Sequence, residues 1–73
     1  MRETVAIHTP FIRLDALLKL CAAAESGGQA KVMVQSGQVT VNGAVCEMRG
    51  KKLVDGDVVR LMGNDTDYVV TVV

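Results

Sequence analysis

Aromatic side chains are nearly absent: Phe11 and Tyr68 are the only two among 73 residues, and there is no tryptophan. No strand can therefore present the row of rings on which single-strand binders of the RRM or OB type stack bases. Histidine is reduced to His8. No Cys/His or Ser/His arrangement can be assembled, the carboxylates gather in turn-like stretches, and catalysis is not expected. The two cysteines, Cys21 and Cys46, are too far apart for a CxxC pair and have no histidine at zinc-ligand spacing. They read as buried free thiols, and neither metal nor cofactor is expected. No long apolar run opens the chain, because Arg13, Asp15 and Lys19 interrupt the leucines. That predicts neither a signal peptide nor a membrane span, and a cytoplasmic setting.

What is present is the composition of a folded domain. Hydrophobic residues make up 49% of the chain, which excludes a disordered tail. Residues 1–73 suffice for one domain, with a thin core that buries about 60–65% of the unfolded surface. Net charge is zero, but it divides along the sequence. Residues 26–53 hold Lys31, Arg49, Lys51 and Lys52 against Glu47 alone, whereas residues 54–73 hold Arg60 against Asp55, Asp57, Asp65 and Asp67. A local cationic patch attracts polyanions even in a neutral chain.

Val5 and Ile7 alternate, as in a short strand from Glu3 to His8. Thr9 and Pro10 fit the N-cap and first position of a helix whose apolar face is Leu14, Leu17, Leu18 and Cys21, ending near Ala24. Ser26-Gly27-Gly28-Gln29 reads as a capping box, with the Gln29 side chain reaching back to the Ser26 amide. It opens a second helix with Ala30, Met33 and Val34 inward, Gly28, Lys31 and Gln35 outward, and Gly37 past its end. Asn42-Gly43 predicts a type I′ hairpin between Val39–Val41 and Ala44–Cys46. A loop through Asp55-Gly56-Asp57, a strand at Val58–Leu61 and a last strand at Tyr68–Val73 follow. The sum is an α+β fold: two N-terminal helices, helix-turn-helix-like, packed on a small, mostly antiparallel sheet.

RLDALLKL (13–20), SGGQAK (26–31), SGQVTVNGAV (36–45) and RGKKLVDGDVV (49–59), taken in order, resemble the ribosomal-protein S-four-type RNA-binding domain, or alpha-L motif. The likeness is closest to its small stand-alone bacterial branch, the YbcJ-like proteins. The resemblance implies a helix pair on a small sheet that binds structured or ribosomal RNA with the helices and the adjacent loop, with the ribosome or ribosomal proteins as further partners. Many members of the wider superfamily have Arg directly after the Ser that opens the second helix; here Gly27 stands there, so that side-chain phosphate contact is absent.

The residues themselves bear on this reading. Ser26, Gly27, Gly28 and Gln29 give a helix end with uncovered amides, suited to phosphate or simply to a turn between helices. Lys31 and Gln35 extend the same face toward a second phosphate and a sugar or base, although each alone is an ordinary solvated side chain. Arg49, Lys51 and Lys52 belong to a loop that can reach a phosphate backbone, with Gly50 giving it freedom. Arg13 borders the apolar stripe and suits an ion pair as well as an RNA contact, while Lys19 points to solvent. The glycine-opened helix end and the cationic loop are expected to form one phosphate-sized cradle, and Asp55 and Asp57 to shape the turn before the next strand.

The alternative is a small protein-interaction module, ubiquitin-like or ribosome-docking, with no RNA contact. TVNGAV and LVDGDVV are similar to strands of ubiquitin-like sulfur carriers. Those end in Gly-Gly, however, and this sequence finishes with Thr71-Val72-Val73. Neither a membrane nor a small-molecule substrate is expected.

Overall fold

Period-two burial in the strands and three-and-four burial in the helices place one apolar surface against another. The computed structural model describes all residues, Met1–Val73. The elements run β1 (Arg2–Ile7), β2 (Ile12–Arg13), α1 (Leu14–Leu20), α2 (Gly27–Gln35), β3 (Val39–Val41), β4 (Ala44–Val45), β5 (Lys52–Leu53), β6 (Val58–Leu61) and β7 (Asp67–Val72). Five strands form a sheet in the order β1-β7-β6-β3-β4, and β2 and β5 form a second, two-stranded one. Only β1–β7 is parallel; every other pairing is antiparallel.

Register aligns the buried positions: Val5 faces Val70, Val59 faces Tyr68 and Val41, and Val39 faces Leu61. These residues join Leu14, Leu17 and Leu18 of α1, Ala30 and Val34 of α2, and Leu53 in a single core of fifteen buried residues, none of them polar. The α+β expectation holds with one correction. The helix pair is not N-terminal: β1 and β2 precede it, and β1 buries Val5 and Ile7 at the edge of the sheet, beside the C-terminal strand.

α1 starts at Leu14, four residues beyond Pro10, with Arg13 extended at the N-cap (φ −74°, ψ 149°). Local chemistry at Thr9 is diverted, because its hydroxyl donates to the Phe11 carbonyl at 2.7 Å. Ile12 and Arg13 then pair with Leu53 and Lys52 instead of entering the helix. This also corrects the loop expected at Lys52–Leu53, where a two-residue strand is too short to leave a periodic signal.

Both helices end in the same pattern. Past α1, Ala22 donates to Lys19 and Ala23 to Leu18; past α2, Gly37 donates to Val34 and Gln38 to Met33. These paired bonds make a Schellman ending, which needs a left-handed residue in the middle. Gly37 (φ +78°) supplies it for α2 and Ala22 (φ +63°) for α1. Helix-favouring alanines therefore do not carry α1 to Ala24. The chain turns, and Ala24 is buried.

The type I′ turn is present, with φ +53° at Asn42 and +86° at Gly43. Asn42 also fastens the hairpin to β6: its Oδ1 accepts from the Val58 amide at 2.9 Å, and its Nδ2 donates to Asp57 at 3.1 Å. Cys21 and Cys46 are free but half-buried rather than buried, because each follows the end of an element at the margin of the core. Burial pushes the Cys21 thiol above its ordinary pKa; Glu3 adds to this, and the backbone amides of Ala23 and Cys21 oppose it. No helix is long and apolar enough to cross a membrane.

Candidate functional site

α1 has no side-chain cap at its amino end. The basic loop supplies one from its main chain: the Leu14 amide donates to the Lys51 carbonyl at 2.9 Å, and the Asp15 amide to the Arg49 carbonyl at 3.0 Å. Two of the unpaired amides of a helix start are satisfied in this way. Lys51 N to Met48 O at 3.1 Å closes the loop's own turn, and Lys52 lies opposite Arg13 in the β2–β5 ladder. Because backbone atoms do the anchoring, the side chains of Arg49, Lys51 and Lys52 remain exposed. Gly50 is not held in the left-handed region, and a methyl group there would only touch the Arg13 guanidinium, at 3.7 Å.

Arg13 forms an ion pair with Asp15 at 3.1 Å, with 54% of its side chain exposed. It therefore serves the ion-pair role while remaining on the cationic surface. The second ion pair joins Arg60 to Asp67 at 2.7 Å. No carboxylate lies within ion-pairing distance of Lys31, Arg49, Lys51 or Lys52. Three of the four acids of residues 54–73 are engaged elsewhere, Asp67 by Arg60. Asp57 accepts from Val54 N (2.9 Å) and from Asn42, and Asp55 accepts from Val72 N in β7 (2.8 Å). Asp57 thus shapes its turn as expected, whereas Asp55 bridges to the last strand.

At the start of α2, Ser26 is an extended N-cap whose Oγ accepts from the Gln29 amide at 3.1 Å. The reciprocal half differs from a standard capping box: Gln29 Oε1 accepts from the Glu25 amide, at 2.6 Å, not from Ser26. The Gly27 and Gly28 amides meet no acceptor within the protein. A methyl group at Gly27 would touch nothing within 4 Å, and one at Gly28 only Ser26 Oγ at 3.8 Å. Packing does not demand these glycines. Their effect is to leave the helix end uncovered. Lys31 and Gln35 are exposed further along α2, while Ala30 and Val34 are buried and Met33 packs at the core's edge.

The structure thus gathers Arg13, Arg49, Lys51 and Lys52 around the amino end of α1, whereas Ser26–Gln29 follow its carboxyl end. Seven residues of helix, about 10 Å at 1.5 Å per residue, lie between the two groups.

One neighbour of the cations has no counterpart in the sequence pattern. The Lys52 ammonium stands 4.8 Å from the centroid of the Phe11 ring. The two residues are distant in sequence, and only the β2–β5 pairing makes them adjacent.

Comparison with known proteins agrees with this architecture. The S4 domain family matches residues 5–71. A probable ribosome maturation protein of Bacillus subtilis (strain 168), RlbA, is 39% identical over 70 residues, covering 96% of this chain and 99% of that protein. The putative RNA-binding protein YbcJ of Escherichia coli (strain K12) is 42% identical over 60 residues, covering 82% and 86%. The solution structure of YbcJ from E. coli, described as revealing an alfaL motif involved in RNA-binding, superimposes with a TM-score of 0.66 at 39% identity, covering 90% of this chain and 85% of that one. With the family matched over nearly the whole length, and relatives of this identity beside it, the chain belongs to the S4 domain family.

Proposed function

We propose that this protein is a non-catalytic RNA-binding module of the cytoplasm that engages structured RNA, ribosomal RNA in particular. The carrying observation is the set of exposed cations, Arg49, Lys51 and Lys52, held on the amino end of α1 by main-chain bonds and without a carboxylate partner. Regularly spaced phosphates are the complement of such a surface. Arg13 widens it. Ser26, Gly27, Gly28 and Gln29 add amides at the start of α2, and Lys31 and Gln35 continue along that helix toward the next phosphate or sugar. The choice of RNA is supported by the description of YbcJ, and that of ribosomal RNA by the name of the Bacillus relative.

The test is binding to a structured ribosomal RNA fragment at two salt concentrations, with the native chain and a Lys51→Ala/Lys52→Ala variant. Affinity should fall steeply with salt, and the variant should bind more weakly with a shallower slope, by about one to two in log K against log salt. Binding that ignores salt, or that the double variant leaves unaltered, would remove the loop from the interface.

A further inference from the structure

We propose that Phe11 is a base-contacting residue: its ring stacks on an unpaired nucleobase at the edge of a stem while Lys52 takes that nucleotide's phosphate. This rests on the RNA reading of the same surface and adds a specificity that cations alone do not give.

Of the two aromatic residues, Tyr68 is buried in the core at 7% exposure, whereas Phe11 is 41% exposed. The backbone at Phe11 is held by the Thr9 hydroxyl on the Phe11 carbonyl and by the adjoining Ile12–Leu53 pair, whose Leu53 is wholly buried. Lys52 lies over the ring at 4.8 Å and has no carboxylate partner. An exposed cation–π contact is weak, so Lys52 can exchange it for a phosphate. The π-face that the ammonium covered is then left open beside it. A flat apolar face next to a free cation matches a single nucleotide, base on ring and phosphate on ammonium. Bases inside a stem have no free face, so the occupant is an unpaired nucleotide adjoining one.

The experiment compares a paired RNA stem with the same stem carrying one bulged adenine, for the native chain, Phe11→Leu, Phe11→Trp and Lys51→Ala/Lys52→Ala. The native chain should prefer the bulged stem. Phe11→Leu should lose about tenfold on the bulged RNA, keep its affinity for the paired stem, and retain the salt slope, because no charge changes. Phe11→Trp should keep the preference. With 2-aminopurine as the bulged base, the native chain should quench its fluorescence and Phe11→Leu should not. Equal binding of both stems by native and Phe11→Leu chains, or no quenching by the native chain, overturns the inference and leaves the cationic reading intact. Should the native chain bind neither stem, or the double lysine variant bind both undiminished, that underlying reading fails and this one with it. If Phe11→Leu is destabilised, Phe11→Trp and native-chain quenching still decide.

Discussion

The amide of Leu14 donates to the carbonyl of Lys51, so a residue whose side chain is an unpaired cation also caps a helix through its main chain. The two roles use different atoms and should separate. Lys51→Ala keeps the carbonyl, and its urea-unfolding free energy should change by no more than about 0.5 kcal/mol, while RNA affinity falls. Leu53→Ala, two residues on and fully buried, should cost about 2–5 kcal/mol. If Lys51→Ala unfolds the protein as readily as Leu53→Ala does, the division of roles is wrong.

Ala22 occupies the left-handed position that ends α1, where Gly37 does so for α2. A β-carbon in that region costs about 1 kcal/mol or slightly more. Ala22→Gly should therefore stabilise the protein by about 1 kcal/mol and raise Tm by about 4–8 °C for a domain of this size. Ala23→Gly, one residue later and outside that region, should lower Tm instead. A calorimetric scan in which both glycines destabilise would refute the assignment of strain to Ala22.

These contacts mark where sequence reading works and where it stops. Ser26 as N-cap, Gly37 as terminator and Asn42-Gly43 as turn are legible because each interaction lies within a few residues. The inward faces of both helices follow from periodicity alone. The displaced start of α1 was hidden because its cap comes from Arg49 and Lys51, far along the chain. Equally hidden were the β1–β7 pairing, which joins the two ends of the sequence, and the meeting of Phe11 with Lys52. For the candidate site, charge segregation was readable from composition. Its division between the two ends of α1 depends on where tertiary hydrogen bonds set the loop.

Asn42 combines a left-handed backbone with side-chain bonds to Val58 and Asp57, and two substitutions can distinguish them. Asn42→Gly retains the turn and loses the bonds, at a cost of about 1–2 kcal/mol. Asn42→Ala loses the bonds and adds left-handed strain, about 1 kcal/mol more. Chemical denaturation should rank native above Asn42→Gly above Asn42→Ala. A ranking with the two variants equal would mean that the backbone angle contributes nothing.

Burial raises the Cys21 thiol pKa, which keeps it protonated and slow to alkylate near neutrality. The folded-state value is the higher one, so this group's contribution to stability is present below the unfolded pKa and is lost as pH rises through the folded value. Native-state iodoacetamide labelling followed by mass spectrometry should show Cys21 modified more slowly than in the urea-unfolded chain at the same pH. In alkaline melts, Cys21→Ala should flatten the decline. Labelling at equal rates in both states would contradict the raised pKa.

Gly27 is the first residue of α2, carries no positive φ, and faces open space, since a β-carbon would meet no atom within 4 Å. Arginine fits there without strain. It gains helix propensity over glycine, up to about 1 kcal/mol, but sets a cation against the positive helix end, which costs about 0.3–1 kcal/mol. These effects nearly cancel, so Gly27→Arg should leave Tm within a few degrees of native. Its effect belongs to binding. If the start of α2 faces the RNA backbone, one added phosphate contact steepens the slope of log K against log salt by about 0.9 for a duplex and tightens binding severalfold at low salt. Titration of a structured RNA at three salt concentrations measures both. A variant that folds normally but keeps the native slope would place the opening of α2 away from the RNA, leaving the Arg49–Lys52 loop as the phosphate contact.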